Sequence, residues 1–147
     1  MLTASSTHTL PRFSPARSRL HTPPVNEGDT EYEILAGGWA AAASNNPQWL
    51  QAEFQESHYI NTVATQGRDV TSTLQWVTAY SLQYGNTEYD FVYILDSDRN
   101  VRVFEGNFDR NTVVTNTFDP VNARMVRLNV VEFHGFTRMR WELYACV

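Results

Sequence analysis

From Arg138 to Ala145 the chain alternates without a break. Met139, Trp141, Leu143 and Ala145 are apolar, and Arg138, Arg140, Glu142 and Tyr144 stand between them. A period of two sends successive side chains to opposite faces of a strand. The apolar side should therefore face a core, and the charged side water or ion-pair partners. Val126, Leu128 and Val130 interleave with Arg127 and Asn129 in the same way. Between Trp76 and Tyr84 the even positions carry Trp76, Thr78, Tyr80, Leu82 and Tyr84, which predicts one aromatic face with Trp76 opening a core-facing series. Trp49 to Phe54 and Ile60 to Thr65 read as two short strands. Phe91 to Leu95 and Val101 to Phe104 flank the stretch Asp96-Ser97-Asp98-Arg99-Asn100, whose residue types predict a hairpin turn.

Convincing amphipathic helices are absent. The Ala-rich stretch around Trp39 is preceded by Gly37-Gly38 and ended by Asn45-Asn46-Pro47, so it reads as a loop with at most a short turn. Residues 1–30, rich in Ser, Thr, Pro and Arg and broken at Pro23-Pro24, read as irregular. Short strands joined by Gly, Asn and Asp turns predict an all-β antiparallel sandwich or barrel. A parallel sheet would need crossover helices. A length of 147 residues suits one domain with a single core.

Several function classes are disfavoured. A net charge of -5 argues against a general nucleic-acid binder. No apolar run approaches the roughly 20 residues of a transmembrane helix, and the N-terminal residues do not read as a signal peptide. The Asp96, Asp98, Asn100 spacing opens like a calcium loop, but Val101 stands where glycine is needed and Asn107 where the closing glutamate is needed. His8, His21, His58 and His134 are not at zinc-motif spacing, and no second cysteine can assist. No nucleophile elbow or phosphate-cradling loop is present. No cofactor, metal or catalytic residue is therefore expected, and a binding module is the default. The single cysteine, Cys146, allows a free thiol or a bridge to something outside this chain. All 11 basic residues are Arg, and most are expected in surface ion pairs.

The segments LTASS, PQWLQAEF (Pro47 to Phe54), TQGR (Thr65 to Arg68), WVTAYSLQY (Trp76 to Tyr84), VFEGNFDRNTVVTNTF (Val103 to Phe118), NARMVRL (Asn122 to Leu128) and RMRWELYAC (Arg138 to Cys146) together resemble a discoidin domain, also called the coagulation factor V/VIII type C domain. The resemblance runs from Leu2 to Cys146. It implies a jelly-roll β-sandwich or distorted barrel of the galactose-binding-like kind, spanning residues 1–147 as one domain, either whole or as part of a longer multidomain protein. It also implies a non-enzymatic, usually extracellular module. Members bind glycans, collagen, other proteins or anionic phospholipid through loops at one end of the barrel.

By that resemblance three loops are expected to carry recognition: Thr7 to Phe13, Ala41 to Pro47 and Arg68 to Gln75. For a carbohydrate or a cell-surface protein, Asn45, Asn46, Arg68, Asp69, Thr71 and Gln75 would supply donors and acceptors. For an anionic phospholipid surface, Leu10, Phe13, Val70 and Leu74 would insert, with Arg12 and Arg68 near the headgroups. Arg68 and Asp69 could equally brace the third loop. The chain departs from the family pattern in lacking the opening cysteine that would bridge to Cys146. It also has Glu53-Phe54-Gln55 for the usual Asp-Leu-Gly, Val130 and Phe133 in the Pro-x-x-Trp position, and no Trp in its first loop.

Overall fold

A computed structural model describes residues 1–7, 15–22, 25–26, 34–35, 38–43, 48–68 and 74–146. The strands are β1 (Leu2–Ala4), β2 (Val25–Asn26), β3 (Ile34–Leu35), β4 (Trp39–Ala40), β5 (Trp49–Gln66), β6 (Trp76–Gly85), β7 (Val92–Tyr93), β8 (Phe104–Glu105), β9 (Val114–His134) and β10 (Arg138–Ala145). Pro15–Ser18 forms a 3₁₀ turn, and no α-helix occurs among the described residues. The main sheet has the order β4-β10-β5-β9-β6-β7, with β1 on β5 and β8 on β6; β2 and β3 form a separate pair. Every strand-to-strand ladder is antiparallel. The expected all-β jelly roll is the fold observed.

Two long strands organise it. The runs Trp49 to Phe54 and Ile60 to Thr65, expected as separate strands, belong to one strand of 18 residues. Its partner β9 has 21 residues. Their ladder starts at Trp49↔Asn129, ends at Thr65↔Val114, and shifts register between Glu53 and His58 and between Ile60 and Thr62. Extra residues on one side of a ladder bend the strand that carries them. Pro120, which has no N–H to give, lies between Thr117 and Val121, where β9 carries the extra residues. Both strands thus turn over midway, and both ends of each return to one end of the barrel.

The core holds Trp39, Leu50, Val63, Val77, Leu82, Phe104, Leu128, Met139 and Trp141, all nearly inaccessible. Tyr80 lies among them, stacked on Phe104 with ring centroids 5.4 Å apart. Its hydroxyl accepts a hydrogen bond from Asn116 Nδ2 at 3.0 Å, and burial pushes its pKa up to about 12. The alternation of Val126, Leu128 and Val130 with Arg127 and Asn129 is reproduced.

Other expectations are corrected. The strict alternation from Trp76 fails at Ala79, where the β6–β9 register shifts twice. This bulge makes Val77 and Tyr80 core residues and leaves Trp76 half-buried. The segment around Trp39, expected as loop, gives β4, which pairs Trp39 with Met139 and Ala40 with Arg138. The charged face of β10 is not wholly solvated: Arg138 is 7% exposed and Arg140 2% exposed. Arg19 and Arg124 form ion pairs with Glu142 and Glu53 at 2.7 and 2.8 Å. Arg127, in contrast, lies over the rings of Trp49 and Phe91, 4.1 and 4.5 Å from their centroids.

Candidate functional site

One end of the barrel collects the start and finish of both long strands. The carbonyl of Gln48 accepts the amide of Val130, and the amide of Ala41 donates to Thr137 O. Trp76 pairs with His134 across the β6–β9 ladder. The N-terminal Ser-Ser pair fixes the neighbouring chain. Ser5 Oγ and Ser6 Oγ both donate to Gln48 Oε1, at 2.7 and 2.6 Å, and Ser6 Oγ accepts the amide of Ala42. The Trp39 indole N–H donates to Ser6 O at 3.0 Å.

Beside Arg68 and Trp76 lies a hydrogen-bonded base. Arg140 donates through Nε to Gly67 O, through Nη1 to Thr22 O, and through Nη2 to Arg110 O and Asn111 Oδ1, at 2.7–3.3 Å. A planar fork with five N–H groups suits several fixed carbonyls at once. Gln66 Nε2 donates to Asn111 O, while Gln66 Oε1 accepts the amide of His21. Buried Asn107 bridges Thr65 O and Thr112 O through its Nδ2. Asp109 accepts from the amides of Asn111 and Thr112 and from the Thr112 hydroxyl. That hydroxyl bond, ahead of the two amide bonds, holds the Asp109 carboxyl below the usual carboxylate range.

Two glycines are required by space or conformation. A Cβ on Gly67 would stand 2.8 Å from Asp109 O and 2.9 Å from Trp76 Cβ. Gly135 adopts φ +75°, and a Cβ there would stand 2.6 Å from Leu74 O. The segments 66–68, 74–76, 107–112 and 134–140 are therefore packed backbone against backbone.

Above this base the chain presents exposed apolar tips. Leu74 is 60% exposed and Phe108 66% exposed. His134 is exposed and stacks on Trp76 with centroids 4.6 Å apart and planes 17° apart. The neck of the third loop is closed by Arg68, whose amide donates to Gln75 O and whose Nη1 donates to Gln75 Oε1, both at 3.1 Å.

Of the residues singled out in the sequence, Arg68, Leu74 and Gln75 are brought together at this end. Leu10, Arg12, Phe13, Asn45, Asn46, Asp69, Val70 and Thr71 lie outside the described residues. Arg68 is only 7% exposed, so its observed part is that of a brace. Sequence reading missed Phe108, His134 and Arg140. Phe108 follows Gly106-Asn107, a turn signal that could have marked it as a tip. Nothing local marks His134 as the partner of Trp76. Among the described residues no group of His, Cys, Asp and Glu could hold a metal, and no helix is long and apolar enough to cross a membrane. Cys146 has no disulfide partner among the described residues, and its amide donates to Tyr59 O at 2.7 Å.

Comparisons with known proteins agree with this architecture. A model of the F5/8 type C domain matches residues 2–143. Retinoschisin of Takifugu rubripes is 35% identical over 135 residues, covering 90% of this chain and 44% of the relative, so the chain spans about half that relative's length. Wild-type discoidin II of Dictyostelium discoideum superposes with a TM-score of 0.84 at 26% identity, over 99% of this chain and 54% of that one. A Clostridium perfringens module solved with GalNAc-β-1,3-galactose shares the fold, with a TM-score of 0.67 at 20% identity over 99% of this chain and 94% of that one. By its strand order, its loop-bearing end and a match over nearly its whole length, this chain belongs to the F5/8 type C, or discoidin, domain family.

Proposed function

We propose that this chain is a non-catalytic extracellular recognition module, folded as a single domain, that holds a carbohydrate or protein ligand at the loop-bearing end. The observation that carries the reading is the contrast at that end between a fixed base and exposed tips. Arg140, Gln66 and Asn107 lock the backbone of 65–68 and 110–112. Leu74, Phe108 and the Trp76–His134 stack stand outside it. Pre-ordered backbone lowers the entropy lost on binding, and aromatic rings with nearby amide donors and acceptors suit sugar rings and polar protein surfaces. The Clostridium perfringens module supports this to the extent that the same fold accommodates a saccharide.

A glycan array combined with binding to immobilised matrix proteins tests the proposal. Folded chain should bind at least one ligand, and His134→Ala together with Leu74→Ala should weaken that binding. Folded protein silent on both surfaces defeats it.

A second reading, attachment to anionic phospholipid, is favoured by the exposure of Leu74 and Phe108. Inserting both would contribute about 3–6 kcal/mol at 1.5–3 kcal/mol per side chain. The net charge of -5 opposes approach to an anionic surface. Co-sedimentation with phosphatidylserine vesicles distinguishes the readings: lipid attachment should fall on Phe108→Ala, whereas glycan binding should fall with competing free sugar.

A further inference from the structure

A second concave surface lies away from the loops. β6 leaves the loop-bearing end at Trp76, and beside its far half opens a groove of about 760 Å³. Its apolar lining includes Tyr84, Ile94 and Phe118, and its charged lining Asp96, Arg102 and Asp119. Tyr84 is eight residues along β6 from Trp76, on the order of 25 Å at about 3.4 Å per residue. The groove is thus separate from the candidate site described above. Its volume falls within the range of about 300–1,000 Å³ common to small-molecule sites.

The polar groups of the groove are held in place. Arg102 donates through Nη1 to Thr117 O at 3.0 Å, and its guanidinium carbon lies 4.2 Å from the centroid of the Phe104 ring. The guanidinium has five N–H donors, so others are left for a ligand. Asp96 Oδ1 accepts the amides of Asp98 and Asn100 at 2.9 and 3.0 Å, which fixes its carboxylate. Asp96 Oδ2 and both oxygens of Asp119 have no hydrogen-bond partner among the described residues. Ile94 and Phe118, each 8% exposed, lie at the edge of the core.

An apolar surface bordered by two carboxylates and one guanidinium fits a particular ligand chemistry. The C–H face of a pyranose ring can lie on half-buried Tyr84 and on Tyr93, which is 41% exposed and also lines the groove. Its vicinal hydroxyls can donate to carboxylates and accept from an arginine, bonds strengthened by the ionised partner. The excess of carboxylate over guanidinium repels a uronic acid, a sulfate or a phosphate. We propose that this groove is a second ligand site, taking a hexopyranose unit that carries no acidic group. The inference goes beyond the function proposed for the loops and does not depend on what they bind.

The test is amide-resolved NMR of the full isotope-labelled chain. It would be titrated separately with galactose, N-acetylgalactosamine, glucosamine and N-acetylglucosamine oligomers, and a sulfated heparin disaccharide. At least one non-acidic sugar should produce saturable shifts at Leu95–Ser97 and Thr117–Val121, and the heparin disaccharide none there. Asp119→Ala removes an exposed, unpaired carboxylate and should leave the fold intact while weakening that binding about tenfold, the effect of about 1.4 kcal/mol. Ser97→Trp, which fills the groove from its exposed turn, should abolish it. The proposal is overturned if no non-acidic sugar moves these amides, if the sulfated sugar binds there preferentially, or if both variants bind as the unaltered chain does. Shifts confined to Leu74–Trp76 would overturn the groove and leave the loop site standing; shifts confined to the groove would support the groove and leave a protein ligand for the loops.

Discussion

The two ends of the barrel are held by side-chain bonds of different burial: Arg140 is 2% exposed at one, and Arg124 is exposed at the other. At the loop-bearing end, buried side chains reach backbone carbonyls far away in sequence: the acceptors of Arg140 lie 29 to 118 positions from it. At the opposite end the side-chain bonds are exposed: Arg124 Nε donates to Phe54 O at 3.2 Å, and Asp side chains cap their own turns. Asp90 Oδ1 accepts the amides of Asn86 and Thr87, and Asp96 Oδ1 those of Asp98 and Asn100. The first arrangement forms only when the whole chain is folded, because its partners come from separate segments. The Asp caps need only a few consecutive residues. A ligand surface made of several loops requires the first kind, since no single loop can define it. The comparison predicts that equal chemical damage at the two ends will have unequal consequences.

The largest consequence is expected at Arg140. Arg140→Ala leaves the carbonyls of Gly67 and Arg110 without this donor in a buried setting. Unsatisfied buried groups cost about 1–3 kcal/mol each, so a loss of about 3–5 kcal/mol is expected in urea unfolding. Arg140→Lys should recover little, because an ammonium cannot span the acceptors that the planar fork reaches. A lysine variant as stable as the unaltered chain would show that charge alone matters here. Gly67→Ala should follow, at about 2 kcal/mol, the usual range for overpacking being 1–3 kcal/mol. The clash is with backbone at 2.8 Å, so no side chain can swing aside. Its NMR shifts should concentrate at 74–76 and 107–112. Shifts confined to residue 67 and its chain neighbours would break the picture of one packed base.

At the opposite end, Asp96→Ala removes two hydrogen-bond acceptances, but the freed amides are exposed and water replaces the carboxylate. A loss of about 0.5–1 kcal/mol is expected, with perturbation limited to the hairpin between Leu95 and Val101. A loss equal to that of Arg140→Ala would erase the distinction between the two ends.

The same distinction explains what could be read from the sequence. The hairpin at Asp96–Asn100 was legible because its turn is written in adjacent residues: Asp96 N donates to Asn100 O, and Leu95 bridges Val101. The alternation of Val126, Leu128 and Val130 was legible because strand period is a local signal. Arg140 was not, since alternation assigns a residue to a face of a strand and cannot say what crosses that face. There the loops at 67 and 110–111 cover it. Trp76 was placed on the wrong series because a bulge two residues later changes the parity, and no Gly or Pro announces it. The resemblance places the third loop at Arg68 to Gln75; β5 ends at Gln66 and β6 begins at Trp76, and residues 69–73 lie outside the described residues. The place of His134 at that end depends on its stacking partner Trp76 on β6.

Asp109 lies between the two kinds of bond and gives the smallest and sharpest test. It caps its own turn, as Asp96 does, yet its carbonyl oxygen is the atom nearest a would-be Gly67 side chain. Its carboxyl is held below the usual range, first by the Thr112 hydroxyl. A group whose folded pKa is depressed stabilises the fold above its unfolded value, about 3.9 for Asp. That contribution is lost as pH falls through the lower folded value. Asp109→Asn keeps an acceptor for the amides but removes the charge, so the stability gap between the unaltered chain and the variant should shrink between pH 5 and pH 3. Because the carboxyl is almost fully solvated, the change should be small and screened by salt. If the turn matters only to itself, amide shifts on acidification will stop at Asn111 and Thr112. If it supports the loop base, they will reach Gly67 and Arg68. A stability gap independent of pH would remove Asp109 from the account altogether.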